Sequence, residues 1–576
     1  MHCFAKADKL CYAVPMKIQT EASKTITQRL SFQTAVKDQA GIAEELAAGK
    51  EVSEVYHLSD AGLFEEFFFF LVELKFMPFF LGLDPKLATR PTTIHFPAVI
   101  LIYVMRIVAG LAFFWHIEPL ILQSQALMRL VGFNGRQILD GTSNRGRLIT
   151  AVSSETADEV TSTAAADTTI RGPICADSVA AYIQAIPLKL LEWLFNGVVA
   201  LLAANSFFPK NIHASLDASE IQSTEKCEGC GMVRKEKGPE LRLRKGRIKK
   251  VWEQVFGFKI WVVWDSASSL PLALRFATIE TADLTLAKEV ILQACANLGS
   301  HATLASLTFD RGFTDGALWW WLHNELKILF FVPAKSNMHV YQDALASVHD
   351  GIRQTRERSR TVGHGRNKAT VVDRWDVVGI TGLTSAGFYG PLGSGSHEHA
   401  KDFVANPINA VVVCHDPFRE KNPRCDAMVL LTNAPVEKPL TTYDSYDRRS
   451  DMENSLFREG KQAWFLQRPA RATARAFRAH AYLTIITMAL TTAFRTWLDQ
   501  QNRLEQKGQD TGIRRYRRQV RQENGNKLIV FNEGRYAIFE AYELVILCGR
   551  PVAMPRGVPE TITCADILRK YGAALE

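Results

Sequence analysis

Hydrophobic and polar positions divide the chain into an apolar N-terminal part and a longer part in which strand and helix patterns alternate. Two apolar runs, residues 64–83 and 96–122, carry charged residues inside them, including Arg106 in the second run. A charged side chain at bilayer depth costs about 2.5 kcal/mol or more, so buried helices are favoured over membrane spans. We therefore predict an all-α N-terminal domain over residues 1–150, with no membrane association.

From residue 212 onward, short β-prone runs replace the long apolar runs. The pattern predicts three meandering strands and then helix, strand, helix and strand, at residues 212–219, 259–265, 270–276, 284–298, 302–309, 317–322 and 328–332. That order is typical of an α/β fold with a ribonuclease-H-like core, in which the first and fourth strands lie side by side. We assign residues 171–334 and 440–500 to this core.

Two aspartates stand at corresponding places in this order. Asp217 lies in the first predicted strand, and Asp310 follows the fourth, where Gly312 ends the strand and Asp315 can cap the next helix. Two carboxylates at one sheet edge repel unless divalent cations neutralise them, and Mg²⁺ suits such oxygen ligands. The structural alternative for Asp310 is a turn residue. Asp265 competes for the metal role, but its hairpin position favours local hydrogen bonds.

A third acidic ligand is expected from residues 446–461. If this segment is helical, Tyr446, Arg449 and Glu453 fall on one face, at steps of three and four residues. A phenol, a guanidinium and a carboxylate on one face can bind a phosphate and a metal ion together. Ser450 and Glu453 also fit a capping box, in which Glu453 would fold back onto a helix N-terminus, so a structural alternative stays open.

Taken together, these motifs resemble the DDE transposases of bacterial insertion sequences. The matching residues are Leu-Asp-Ala around Asp217, Phe-Asp-Arg-Gly at Asp310, and the segment from Tyr446 to Glu453. The chain is most similar to the cut-and-paste, hairpin-forming group with a Tyr-x2-Arg-x3-Glu-x6-Lys signature. The resemblance implies that Asp217, Asp310 and Glu453 are the catalytic, metal-binding triad, and that Tyr446 and Arg449 bind DNA phosphate.

One position departs from that signature. The basic residue is expected seven positions after Glu453, where Gly460 stands, and Lys461 follows one position later. In an α-helix one residue turns a side chain by about 100°. Lys461 is therefore expected at the margin of the phosphate-binding face.

The resemblance also implies the reaction and its partners. Two Mg²⁺ or Mn²⁺ ions would serve the cleavage and joining of double-stranded DNA at the element's ends, with a dimer acting on DNA in the bacterial cytoplasm, at the nucleoid. A β-rich insertion is implied at residues 335–439, where Trp375 could stack on a flipped base, although a strand tryptophan is also a common core residue. The alternative function is a transposase-derived DNA-binding protein that no longer cleaves.

Basic residues extend the predicted DNA surface, and the net charge of +8 permits a polyanionic partner. The further residues predicted to bind DNA phosphates are Arg244, Lys245, Arg247, Arg471, Arg475 and Arg478. Residues 128–147 have the pattern of a helix-turn-helix that could bind element ends. Residues 151–170 have the composition of a linker, and residues 501–576 form a basic C-terminal region.

The ten cysteines occur singly except for Cys227 and Cys230. Structural zinc normally has four ligands, and the sequence holds no second Cys-x2-Cys pair, so a turn with reduced thiols is favoured over a zinc site. The scattered cysteines, and the lack of a secretory pattern in the first residues, favour a reducing cytoplasm.

Overall fold

The fold is that of a computed structural model, which describes residues 35–58, 61, 63–81, 94, 96–122, 124–134, 137–138, 173–242, 248–362, 368–387, 400–415, 427–515, 527–540, 547 and 560–562. The chain forms two compact units. The terminal unit contains Met1–Ile186 and Phe494–Glu576, and the central unit contains Pro187–Ala493.

Side-chain caps mark the start of some of the helices. The α-helices are α1 (Gln39–Ala47), α2 (Leu63–Glu73), α3 (Phe76–Leu81), α4 (Phe96–Val108), α5 (Gln125–Leu130), α6 (Ala176–Ala185), α7 (Leu188–Ala204), α8 (Ala287–Leu298), α9 (Gly316–Trp321), α10 (His339–Ala346), α11 (Ala400–Ala405), α12 (Pro439–Asp447), α13 (Arg449–Met452), α14 (Glu459–Gln462) and α15 (Ala474–Gln506). The Asp315 side chain accepts a hydrogen bond from the Leu318 N–H at the start of α9, which confirms the predicted cap.

The strands form two sheets. They are β1 (Val36–Lys37), β2 (Glu54–Leu58), β3 (Asn211–Ser223), β4 (Gly231–Arg242), β5 (Ile248–Asp265), β6 (Leu270–Thr278), β7 (Thr303–Phe309), β8 (Leu329–Pro333), β9 (Ile352–Val362), β10 (Ala369–Leu383), β11 (Ile408–His415), β12 (Met428–Thr432), β13 (Lys527–Asn532), β14 (Arg535–Glu540) and β15 (Glu560–Ile562).

The central unit is built on a ten-stranded mixed sheet in the order β4-β5-β3-β7-β8-β12-β11-β10-β9, with β6 paired to β5. The five strands predicted for the core are confirmed as β3, β5, β6, β7 and β8, and β3 pairs in parallel with β7 as predicted. Helix α8 packs through Val290, Ile291 and Ala294, which are fully buried. This arrangement is consistent with the predicted ribonuclease-H-like core.

The predicted β-rich insertion contains strands, but they do not form a separate sheet. Predicted strands at residues 371–378 and 410–413 are confirmed within β10 and β11. Strand β12 pairs with β8 through Leu430–Thr432, so residues 335–439 continue the core sheet. The sequence pattern shows where strands begin and end but not which strands pair, and the bounds of the insertion stay a prediction.

The prediction of an all-α N-terminal domain is wrong, because residues 1–150 contain strands as well as helices. Strands β1 and β2 join β13, β14 and β15 in a five-stranded sheet of order β1-β14-β13-β2-β15. Its core includes Ile42 and Leu46 from α1 with Val530 and Phe539 from the C-terminal strands. The C-terminal region is therefore part of the same unit as the N-terminal region. The partners lie almost 500 residues apart, and a local hydrophobic pattern carries no information on such pairings.

Within the described residues, no single helix is long and apolar enough to cross a membrane. One pair of consecutive helices, α6 and α7, passes that length and composition test when the two are taken together. In α4, Arg106 is buried, and its Nη1 donates a hydrogen bond of 3.0 Å to the Tyr103 hydroxyl.

Several predictions fall on parts of the chain that the structure does not describe. These are most of the second helix of the helix-turn-helix pattern, the linker at residues 151–170, and Arg244, Lys245 and Arg247. The first part of that helix-turn-helix pattern coincides with α5 and the turn at Gly132.

Candidate active site

Asp217 and Asp310 lie just beyond the last paired residues of the parallel strands β3 and β7. The register of β3 and β7 runs as far as Leu216 opposite Phe309, so Asp217 and Asp310 are the next residues on each strand. Asp310 is half-buried at the point where β7 gives way to a 3-10 turn, Arg311–Phe313. The predicted meeting of the two aspartates is therefore confirmed at the level of strand register.

Side-chain hydrogen bonds tie the same two strands together beneath the aspartates. Ser215 Oγ lies 2.6 Å from Thr308 Oγ1, and His213 Nδ1 lies 2.8 Å from Ser306 Oγ. Alternate residues of a strand share a face, so these pairs form a row that leads to the two carboxylates. Because Ser215 and Thr308 are buried, the row holds the strands in one register.

The Asp217 carboxylate is enclosed by hydrogen-bond donors. Its Oδ1 accepts a bond of 2.8 Å from the Ala218 N–H, and its Oδ2 accepts one of 3.1 Å from Arg449 Nη1. The Asp217 and Arg449 side chains are 18% and 20% exposed. Burial raises the pKa of Asp217 to about 6, with smaller contributions from Asp310 and Asp283, while Arg449 opposes the rise.

Tyr446 and Arg449 reach the aspartates from α12 and α13. The Tyr446 hydroxyl is hydrogen-bonded to Arg449, and burial raises the pKa of that hydroxyl. Asp310 and Arg311 are close enough to act on the same hydroxyl electrostatically. The predicted phenol and guanidinium therefore lie together beside Asp217 and Asp310.

An ion pair with β9 holds α12 in place. Arg356 Nη1 and Nη2 donate to Asp444 Oδ1 and Oδ2, each over 2.8 Å, and this pairing raises the pKa of Arg356. The Leu440 N–H donates to Gln354 Oε1 over 3.1 Å. A two-bond fork fixes orientation as well as distance. Strand β9 thus sets the position of the helix that carries Tyr446.

A π-helical turn, Glu453–Arg458, lies between α13 and α14. Hydrogen bonds in a π-helix run from i to i+5, so such a turn contains one more residue than an α-helical turn. The turn accommodates the additional residue that separates Lys461 from its expected position. The expected position of Lys461 at the margin of the face assumed a regular α-helix, and its role in phosphate binding stays a prediction.

Positions 460 and 461 face different surroundings. Gly460 is buried, and a Cβ there would lie 3.6 Å from Leu466 Cδ2 and 3.8 Å from Met488 Sδ. Lys461 Nζ donates a hydrogen bond of 2.8 Å to Ser219 Oγ, two residues from Asp217. Burial lowers the pKa of Lys461, while nearby acidic groups, including Asp217, oppose this change.

Glu453 is not gathered with the two aspartates. Its carboxylate is exposed and acts electrostatically on Lys461. Among the described residues, no three His, Cys, Asp or Glu side chains form a group that could hold a metal ion. Asp217 and Asp310 provide the hard oxygen ligands that suit Mg²⁺, but in this conformation the third predicted ligand does not join them.

Asp283 is a residue that the sequence reasoning missed. Its Oδ1 accepts a bond of 2.9 Å from Lys259 Nζ, and its Oδ2 would lie only 2.7 Å from a Cβ at Gly312. Asp283 therefore abuts the turn that follows Asp310, and it contributes to the raised pKa of Asp217. It lies in a short 3-10 helix before α8, where the sequence alone suggests an ordinary first-turn acid.

The structure shows the local hydrogen bonds of Asp265 and of Ser450. Asp265 is fully buried and accepts bonds from the Ser268 N–H and hydroxyl, at 2.9 and 2.6 Å, which is the expected local role. The Ser450 hydroxyl donates to the Asp447 carbonyl, so the capping box with Glu453 is absent. Trp375 is half-buried against the apolar cluster of β10, β11 and α12. Its predicted stacking on a base stays a prediction.

The remaining predicted DNA contacts divide into exposed and buried side chains. Arg471 precedes α15, which begins at Ala474, so it does not continue that helix. Arg475 is exposed. Arg478 is half-buried near Tyr482, and burial lowers its pKa, so it belongs to the packed side of α15. The binding of DNA phosphate by these three arginines stays a prediction.

The Cys227 and Cys230 thiols are free, and Cys227 is buried. Burial raises the pKa of Cys230. The turn between them is held by the backbone: the Glu228 N–H donates to the Ala472 carbonyl, and the Ala474 N–H donates to the Glu228 carbonyl. The turn thereby fixes the start of α15.

Two aspartates lie where the pairing of two parallel strands ends, and a phenol, a guanidinium and an ammonium group lie near them. This mixed sheet and its site are consistent with the ribonuclease-H-like class of phosphoryl-transfer proteins. Residues 211–491 match the family model of the transposase DDE domain, and this match supports a DDE transposase. It covers a little under half of the 576-residue chain. No curated protein matches the chain.

Proposed function

We propose that the chain is an active DDE transposase, which cleaves and joins phosphodiester bonds of double-stranded DNA at the ends of its own mobile element. The observation that carries the proposal is the adjacency of Asp217 and Asp310 where the pairing of β3 with β7 ends, inside the matched transposase domain. Tyr446, Arg449 and Lys461 supply hydrogen-bond donors on the same side.

The two aspartates would hold a divalent cation, Mg²⁺ or Mn²⁺, through their carboxylate oxygens. A bound cation would neutralise the pair and polarise the phosphate under attack. Glu453 remains the candidate for a further acidic ligand. We extend the proposal to a dimer on DNA, because joining two element ends requires that both be held together.

The chain's own cations would bind and orient the DNA backbone. Arg449 compensates the negative charge of Asp217 across 3.1 Å. A DNA phosphate near Tyr446 would compete for that guanidinium, because Arg binds phosphate as well as carboxylate through charge-assisted hydrogen bonds. Transfer of Arg449 to phosphate would leave Asp217 free to bind the cation. Lys461, held by Ser219, would contact the same strand.

The second candidate function is a transposase-derived protein that binds DNA without cleaving it. One observation favours it: among the described residues, no group of three metal ligands is assembled. Cleavage, measured separately from binding, distinguishes the two functions.

The test uses a labelled duplex that carries the element's own terminal sequence, with purified wild type, Asp217→Asn and Glu453→Gln. We expect strand cleavage in Mg²⁺ by the wild type only, with a loss of at least about a hundredfold in both variants, because each removes a metal ligand. Binding measured in Ca²⁺ should stay within about twofold of wild type. The matched control is Asp451→Asn, an exposed acid on the same helix. Binding without cleavage by the wild type would instead support the second function.

A further inference from the structure

Strands β4 and β5 extend beyond the sheet as a two-stranded arm. Strand β5 pairs with β3 only as far as Phe256 opposite Ser223, and with β6 only as far as Phe258 opposite Thr278. From there to its start at Ile248, β5 pairs within the described residues with β4 alone. A two-stranded ribbon is marginally stable by itself, so a protruding one is suited to support by a partner.

The two faces of the arm differ. One face carries Lys235, which forms an ion pair with Glu220 on β3 and acts electrostatically on Lys461. Lys237 on the same face pairs with Glu253 over 3.5 Å. The cations of this inner face are therefore compensated by acids.

The outer face is defined by Met232, Arg234, Glu236, Trp252, Gln254 and Phe256. All of these side chains are exposed except Phe256, which is half-buried. Cross-strand register places Arg234 opposite Gln254 and Met232 opposite Phe256, so these side chains share one side of the ribbon. Trp252 is 58% exposed and Met232 is 42% exposed. A shallow groove is lined by Arg234, Trp252, Glu253 and Gln254. An exposed tryptophan beside an arginine is typical of binding surfaces.

The charged residues in this part of the sequence indicate which class of partner the outer face would bind. The sequence from residue 231 to residue 256 contains nine lysine and arginine residues against three glutamates. Among the side chains that the structure describes there, Arg234 lies on the outer face, and Lys235 and Lys237 lie on the inner face. Such an excess favours a polyanion over a second protein surface of ordinary composition. The DNA major groove also admits a two-stranded β-ribbon.

We propose that the outer face of the arm is a contact surface for double-stranded DNA, where Trp252 packs against groove atoms and Arg234 binds phosphate. This inference rests on the proposed function and adds a contact outside the catalytic residues. The arm continues directly from the sheet that carries Asp217, so a duplex at the active site would extend along it.

The test is equilibrium binding of the full-length protein to the element-end duplex at several salt concentrations. Trp252→Ala should weaken binding about fivefold or more, and Trp252→Phe should restore most of it, because an aromatic ring remains. Arg234→Gln should reduce the slope of log affinity against log salt by about one. The matched control is Trp193→Ala on α7, a 44% exposed tryptophan, which should bind as wild type does.

Dimethyl sulfate protection of guanine N7 in the major groove gives a second readout, and Trp252→Ala should lose that protection. Melting temperatures equal to wild type would show that the variants fold. If Trp252→Ala and Arg234→Gln bind as Trp193→Ala does, the inference is overturned. Cleavage by the wild type in the same preparation would then show that only the arm, and not the proposed function, has failed.

Discussion

Gly312 fixes the turn that carries Asp310 out of β7. Its backbone lies so close to Asp283 that a Cβ would approach Oδ2 to 2.7 Å and the Asp283 Cβ only to 3.6 Å. The first distance is a clash, whereas the second is an ordinary contact. The size of the side chain at position 312, in the turn after β7, is therefore limited by Asp283, in the 3-10 helix before α8.

We predict that Gly312→Ala lowers the free energy of unfolding by about 1–3 kcal/mol, because the added methyl group must displace the Asp283 carboxylate or the turn. In an Asp283→Ala background the same substitution should cost far less, since the clashing oxygen is gone. Chemical denaturation of the four proteins measures this coupling. Gly512→Ala, where the nearest atom would lie at 3.5 Å, is the control. Equal costs in both backgrounds would contradict the proposed contact.

The residues of the site differ in how far the sequence could predict them. Asp217 and Asp310 could be predicted because each stands at a recognisable strand position, and the order of elements predicts which strands are neighbours. Asp283 could not, because its place beside Gly312 depends on how two loops meet after the sheet has formed. Arg478 has helical spacing from Arg475, but spacing alone does not show which side of α15 is packed.

The helical segment from α12 to α14 shows how element geometry determines which residue reaches the site. The signature assigns its basic position to Gly460, whereas a π-helical turn precedes Lys461, which donates a hydrogen bond to Ser219. A sequence count assumes one helix type throughout, so it cannot reveal an irregular turn. The strands and the capped helix α9 were predictable because their signals are local.

Deletion of Ser455 is expected to convert the π-helical turn, Glu453–Arg458, into regular α-helix. Lys461 would then follow Glu453 by seven residues, nearly two full α-helical turns, and should keep its orientation toward Ser219. We predict that the deletion variant retains DNA cleavage within about tenfold of wild type. The double substitution Gly460→Lys with Lys461→Gly should abolish cleavage or folding, because it directs a lysine into the core. Loss of cleavage in a folded deletion variant would contradict this account of the turn.

The terminal unit combines segments from the two ends of the chain, Met1–Ile186 and Phe494–Glu576. The terminal unit is closed by Arg535, whose Nη1 donates to Asp38 Oδ2 over 2.9 Å and whose Nη2 donates to Glu45 Oε1 over 2.8 Å. These bonds join β14 to both ends of α1, because Asp38 caps its start and Glu45 lies in its last turn. Neither partner could be predicted, because an ion pair between residues almost 500 positions apart leaves no local pattern.

This cluster makes the stability of the terminal unit depend on pH. Hydrogen bonds from Arg535 lower the pKa of Asp38 and of Glu45. A lowered pKa in the folded state means that the stabilisation is complete above the carboxylate's unfolded value, near 4, and is lost as pH falls. Arg535→Gln should therefore lower the melting temperature at pH 7, and the difference from wild type should shrink below about pH 4. Arg503→Gln, an exposed arginine of the same unit, is the control. A difference that stays constant with pH would contradict this assignment.

The most direct measurement of the central claim is single-turnover cleavage of an element-end duplex by Asp310 variants in Mg²⁺ and in Mn²⁺. If Asp310 binds the cation beside Asp217, Asp310→Asn should be inactive in both metals. Asp310→Cys should be inactive in Mg²⁺ and partly active in Mn²⁺, because a thiolate binds the softer ion better. Cleavage at the wild-type rate by Asp310→Asn in Mg²⁺ would contradict the account.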